Sequence, residues 1–356
     1  MEFLLFSDFH AHNFRYGSCR IPLEGRPGLY NSRLVDSVKV LRQLGEYADQ
    51  HGITNLLFGG DLFHRRQRVS TDVFNLIYTE ITRLASDKKI IMLPGNHDYA
   101  DRVGNVHSLE PFADIPNVEV AETGAYDLGG VRLYTLPYTD DREKAVVQLK
   151  ALGADAAAHA GPTLLLAHLG IQGARVGSDY VLVADHDVSV PDIPYRSFSG
   201  CFFGHYHQHQ RVFTNGWFIG ATHQHNWGDV GTQRGFLHVE VPEKGSAKIL
   251  HHVESSAPKF IKTTIEALAT VDPNNFVRLY TQKTPSDVAQ LAASFLSLEV
   301  IVGGEEEALA SSIPSTIMNS SELINSWVDL KNTTLDKAAL ITLGEKLLAQ
   351  AEGADL

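Results

Sequence analysis

Five short apolar runs, each ending abruptly in aspartate, asparagine or histidine, constrain this chain more than anything else in its 356 residues. EFLLF leads to Asp8 and His10, and TNLLFGG leads to Asp61 and His64. KKIIMLPG leads to Asn96, His97 and Asp98, GPTLLLA to His168, and SGCFFG to His205 and His207. Runs this short and apolar, bounded by turn residues, read as strands buried on both faces. Carboxylates and imidazoles beside such strands are costly to desolvate unless something compensates them. Helical spacing separates the first three runs. Leu34, Val35, Val38, Leu41 and Leu44 repeat every 3.6 residues through 33–52 and stop at Gly52. Val73, Leu76, Ile77, Ile81 and Leu84 do so through 71–86, with Thr71 or Asp72 as the expected cap. Strand–helix–strand–helix–strand predicts a parallel sheet, whose ligand site forms at the carboxyl ends of the strands. All five polar clusters are therefore expected along one edge. Residues 115–137 and 211–254 read as short alternating strands, which predict a second sheet packed face to face on the first.

Charge narrows the function. The net charge is −12, which argues against a free-standing nucleic-acid binder. Residues 1–100 hold 12 Lys+Arg against 11 Asp+Glu, whereas the remainder holds 18 against 31. Arg15, Arg20, Arg26 and Arg33 follow the first cluster, and Arg65, Arg66 and Arg68 follow the second. A solvated face explains each arginine alone; their grouping near the histidines is compatible with an anionic substrate. No apolar run reaches the roughly 18 residues that span a bilayer, and Glu2 and Asp8 interrupt any signal-peptide core. With only Cys19 and Cys201, a reducing, cytoplasmic setting is expected, and Cys201 belongs to an apolar run.

Asp8, His10, Asp61, Asn96, His97, His168, His205 and His207 make a donor set of carboxylate, amide and imidazole. Such donors suit Mn, Fe, Zn or Co, and the lack of cysteine disfavours a structural zinc site. Two cations about 3.5–4 Å apart lower the pKa of water and clamp phosphoryl oxygens for in-line attack. They need a shared carboxylate, for which Asp61 is the natural choice.

The order DFH (8–10), GGD (59–61), GNHD (95–98), AHLG (167–170) and GHYH (204–207) resembles the calcineurin-like metallophosphoesterase family over residues 1–255. The resemblance implies an α/β fold, a four-layer α-β-β-α sandwich. It implies that Asp8, His10 and His207 hold one metal, that Asn96, His168 and His205 hold the other, and that Asp61 bridges them. By the same resemblance His97 is the general acid and Asp98 orients it. GGDLFH resembles the SbcD-type DNA repair nucleases in particular, which implies that His64 faces the substrate phosphate. Arg65, Arg66 and Arg68, with Arg15 and Arg20 on the 12–30 loop, are the expected substrate-binding residues. Two divalent ions are implied, Mn²⁺ first, with Mg²⁺, Fe²⁺ or Zn²⁺ as alternatives.

Residues 256–305 read as a small strand–helix–strand unit and resemble the DNA-guiding capping domain of those nucleases. Residues 306–318 read as an acidic linker and 319–356 as a terminal helical pair. Leu323, Ile324, Trp327 and Val328 stripe the first helix; Leu340, Leu343, Leu347 and Leu348 stripe the second. The pair either docks on its own chain or, by the resemblance, grips an SbcC-like coiled-coil ATPase. The implied partners are DNA and that ATPase, with a homodimer also open, in a bacterial cell and on the phage-encoded branch of the family. Two other readings stand beside the nuclease: a phosphoesterase acting on small molecules or nucleotides, and a non-catalytic scaffold.

Overall fold

The computed structural model describes residues 1–101, 106–176, 180–182, 186–282, 294–302, 317–318, 325, 328 and 336–353. A first six-stranded sheet runs in the order Lys248–Glu254, Gly235–Glu240, Glu2–Phe6, Asn55–Phe58, Lys89–Met92, Val118–Val120. Its last four strands are parallel and the first two antiparallel. The parallel crossovers are made by α1 (Ser32–His51) and α2 (Thr71–Leu84). Asn31 caps α1 by accepting from the N–H groups of Arg33 and Leu34, and Gly52 ends it at φ 65°. Ser70, not Thr71 or Asp72, precedes α2, and no side chain caps it.

A second six-stranded sheet runs Gln210–Phe213, Gly216–Phe218, Gly200–Gly204, Thr163–His168, Arg132–Leu136, Gly124–Asp127. Its helix is α3 (Arg142–Ala158), capped by Asp141. Alternation along the strands divides their side chains between cores. Leu4 and Phe6 face Val38, Leu41 and Ile77 of the first two helices. Phe3 and Leu5 instead meet Leu164, Leu166 and Phe202 of the second sheet. Leu165, Cys201 and Phe203 turn the other way, toward Leu149 of α3. Burial on both sides explains why these runs are apolar past their first residues.

One expectation is corrected. The fourth and fifth runs, ending at His168 and His205, belong to the second sheet, and Gly235–Glu240 and Lys248–Glu254 complete the first. Buried strands of either sheet read alike, so the sequence does not say which sheet owns which run. Val118–Val120 likewise extends the first sheet rather than the second.

Residues 260–302 add a parallel three-stranded sheet, Phe260–Thr264, Phe276–Thr281, Ser297–Val302. Leu268, Val277 and Leu279 bury one face of it. Its other side meets the 12–19 loop and the first turn of α1: the Tyr16 hydroxyl donates to Glu299 at 3.0 Å, and the Arg33 guanidinium lies 5.2 and 4.8 Å from the rings of Phe260 and Phe276. The helix expected near 285–297 lies mostly outside the described residues, as do nearly all of the linker and the first helix of the terminal pair. The second is α4 (Lys337–Gly353), on which Leu343 and Leu347 are 51% and 55% exposed.

Candidate metal centre

The ends of five strands bring the polar clusters together. Asp8, His10, Asp61 and His205 adopt positive φ values of 49°, 48°, 62° and 104°. Non-glycine residues in that region are strained, and such strain gathers at functional sites. The turns are held by Asp8 N–H donating to Gly60 O and His10 N–H to Asp61 O, each at 2.9 Å. Gly60 and Gly95 let the loops pass closely: a Cβ on Gly60 would collide with His168, and one on Gly95 with Asp61.

Ligand atoms converge here. Those of Asp8, Asp61 and His168 lie within 4.8 Å of one another, as do those of His10, His207 and His225, and those of His10, His64 and His97. Asp61 Oδ2 is 3.6 Å from His10 Nε2 and 3.5 Å from His168 Nε2, midway in the constellation. The Asn96 amide lies 3.0 Å from His168 Nε2 and 2.9 Å from His205 Nδ1. His168 Nδ1 faces Gly59 O at 2.7 Å, which leaves Nε2 as the nitrogen turned to the cluster. His10 and His207 face each other through Nε2 atoms 3.1 Å apart. Asp8 Oδ2 and His10 Nδ1 are buried with no hydrogen-bond partner among the described residues. Buried lone pairs crowded together without protons to share are what cations satisfy.

The protonation states fit the same use. Burial opposes ionisation of Asp61, but His168, His97 and His10 outweigh it and hold its carboxyl well below the usual range. Burial keeps His10 and His225 well below the ordinary imidazole range and takes His205 down to about 3. Burial also opposes charging of His168, yet the Asp61 carboxylate lifts it to about 9. Neutral imidazoles beside the ionised Asp61 are ready to bind metal, whereas burial raises the Asp8 carboxyl and an ion would have to displace the proton of His168.

His97 stands beside this cluster, its ring 4.7 Å from that of His10. Its backbone N–H donates to Asp61 Oδ1 at 2.7 Å and its Nδ1 to the His64 carbonyl at 2.7 Å, and Nε2 makes no hydrogen bond among the described residues. The His64 ring stacks 5.8 Å from His97, and burial followed by repulsion from His97 pushes its pKa down to about 4.

Asp98 does not orient His97. Its buried carboxylate accepts from the N–H groups of Asp61 (2.8 Å), Leu62 (2.9 Å) and Gly95 (2.9 Å), tying the GGD and GNHD loops together. The His64 carbonyl holds the His97 ring instead. Asp98→Ala is expected to leave three buried donors unpaired. At about 1–3 kcal/mol each, the loss is about 3 kcal/mol or more in urea unfolding. A loss below about 1 kcal/mol would contradict the tie.

Of the arginines, Arg66 reaches Asn96: its Nη2 is 3.0 Å from the amide oxygen in the orientation that turns the Asn96 NH2 toward His168, His205 and Asp61, whereas the opposite orientation offers that oxygen to an ion. Arg65 depresses His64 further, after burial, His97 and His12, and depresses His12 after burial. Arg15, Arg20 and Arg68 make no hydrogen bond, ion pair or ring contact with these residues. His225 joins the site although no motif marked it. It is buried, its Nε2 lies 3.1 Å from Asp8 O, its Nδ1 has no partner among the described residues, and its ring is 5.1 Å from that of His10. The signal available in the sequence was THQHN, a further alternating histidine pair after an apolar strand.

The calcineurin-like phosphoesterase model matches residues 1–209. The chain belongs to that family. Calcineurin-like phosphoesterases hydrolyse phosphoesters with two divalent metals, and the converging acceptors described above are a candidate site for such ions. Among solved structures, a dimetal phosphatase from Danio rerio is 12% identical, with a TM-score of 0.42, covering 71% of this chain and 99% of its own. GAP50, titled the anchor in the inner membrane complex of Plasmodium, is 11% identical, with a TM-score of 0.41, covering 85% and 97%. No curated protein matches the sequence. No helix among the described residues is long and apolar enough to cross a membrane.

Proposed function

We propose that this calcineurin-like phosphoesterase is a two-metal-dependent DNA nuclease of the SbcD type, cutting phosphodiesters alongside an SbcC-like ATPase. The observation that carries the reading is the Asp61 carboxylate midway between His10 and His168, with the His97 ring held at Nδ1 beside it. Asp8, His10 and His207 would hold one ion, with His225 adjoining. Asn96, His168 and His205 would hold the second, and Asp61 would bridge. The ions would supply Lewis-acid activation of water and of the phosphoryl oxygens. His97, held at Nδ1–H by the His64 carbonyl, acts as the imidazolium: its Nε2 proton goes to the departing oxygen and leaves the neutral ring. The Arg66 guanidinium and the His64 ring face the phosphoryl group.

DNA is favoured over a small ester by what surrounds this centre. The 12–19 loop begins at the metal edge, where Phe14 lies 5.0 Å from His64, and ends under the three-stranded sheet, where Tyr16 bonds Glu299. That arrangement sets Phe14 at the metal edge and Tyr16 toward the three-stranded sheet, aromatic side chains of the kind on which bases stack. An ATPase partner would contribute the basic surface that a chain of net charge −12 lacks. The test is degradation of end-labelled linear duplex DNA with Mn²⁺, alone and with a candidate ATPase and ATP. Cleavage lost in His97→Ala supports the nuclease and shows its polarity. Hydrolysis of a chromogenic diester but never of DNA would replace it with the small-molecule reading.

A further inference from the structure

We infer that Gln224, Asp229 and Arg234 form a buried tie through which the three-stranded sheet holds the candidate ligand His207 in place, so that seating of that sheet and binding of metal are linked. The inference rests on the metal centre above but not on DNA as substrate.

The tie is a continuous series of hydrogen bonds between two strand ends. On the sheet side, the Phe260 backbone N–H donates to Gln224 Oε1 at 2.6 Å. Gln224 Nε2 donates to Asp229 O at 2.9 Å and to Thr232 O at 3.1 Å. Asp229 Oδ2 accepts the His225 N–H at 2.8 Å, and its Oδ1 pairs with Arg234 Nη2 at 2.6 Å. On the metal side, Arg234 Nη1 donates to the His207 carbonyl. Gln224, Asp229 and Arg234 are 6%, 5% and 4% exposed, so a break anywhere leaves a polar group without water to replace its partner. Arg33 runs alongside, donating to His225 O at 3.0 Å while its guanidinium lies against Phe260 and Phe276.

These residues have no other evident task. Asp229 compensates a buried guanidinium whose second arm fixes one backbone carbonyl, and that carbonyl belongs to the residue whose imidazole meets His10. A surface loop needs no such pair. Displacing the sheet would pull Phe260 from Gln224 and loosen the 224–234 turn, and the backbone of His207 with it. Linkage is reciprocal, so an ion that fixes His207 must in turn stabilise the sheet's seat.

The Phe260 amide reports directly, because it is the donor to Gln224. Hydrogen exchange of the full chain should slow at Phe260 by roughly 5-fold or more when Mn²⁺ binds, the lower end of ordinary coupling between sites. Gln224→Ala, whose side chain hydrogen-bonds none of the candidate ligands, should exchange faster there and lose the response while still binding Mn²⁺. Arg234→Lys, which keeps the charge opposite Asp229, should weaken Mn²⁺ binding less than Arg234→Gln. Calorimetry on the same samples separates the failures. No Mn²⁺ binding by the wild type would overturn both the metal centre and the tie. Binding with unchanged exchange at Phe260, or a response that survives in Gln224→Ala, would overturn the tie alone.

Discussion

Asp61→Asn is expected to abolish turnover while leaving the fold intact. Asp61 Oδ2 lies within 3.6 Å of ring nitrogens from both halves of the site, and Oδ1 accepts the His97 N–H. Asparagine keeps an oxygen for that N–H, so the GNHD loop stays in place. It removes the charge and places an amide donor where a shared ligand is needed. Metal-ion stabilisation of a phosphoryl transition state is worth several kcal/mol, so kcat/KM should fall on the order of 10³-fold or more. Circular dichroism and the urea midpoint should change little. A variant that keeps near-normal turnover would remove Asp61 from the centre.

His97→Ala is expected to separate chemistry from metal binding. The His97 ring is held by the His64 carbonyl through Nδ1 and presents Nε2, which suits proton donation. Losing a general acid costs roughly 10²–10⁴-fold in rate on DNA. A p-nitrophenyl ester, whose leaving group needs no proton, should lose far less. Bound Mn²⁺ should be unchanged. Equal losses on both substrates, or loss of metal, would make His97 a ligand or a structural residue instead; its ring does stand within reach of His10 and His64.

The parts of this molecule that announce themselves in sequence are those where local chemistry and burial conflict. Asp8 and His10, just past EFLLF, pointed to a site once four further apolar runs ended in the same residue types, because a carboxylate beside a strand buried on both faces is costly unless something compensates it. The helices α1 and α2 were legible because their apolar faces repeat over many residues. The division of strands between the sheets was not, because Leu4 and Leu165 have equally apolar surroundings on different sheets. Helix α3 gave little signal, since alanines fill much of 142–158 and only Ala145, Leu149, Leu152, Gly153 and Ala156 are buried. The role of Asp98 was misread for a reason of chemistry. Adjacency to His97 suggested a side-chain pair, but successive residues on a tight turn point apart, and the carboxylate found backbone donors. His225 stood near the expected metal edge with no motif to claim it, and the Gln224–Asp229–Arg234 series left no mark, because their partners, Asp8, Phe260 and His207, are remote in the chain.

The most direct test of the whole account is the number of ions the chain binds. Metal-free protein dialysed against Mn²⁺ and analysed for metal should carry two ions per wild-type chain and two per His97→Ala chain. Asp61→Asn should carry at most a weakly held one. One ion or none in the wild type, or two in Asp61→Asn, would contradict a centre built across Asp61.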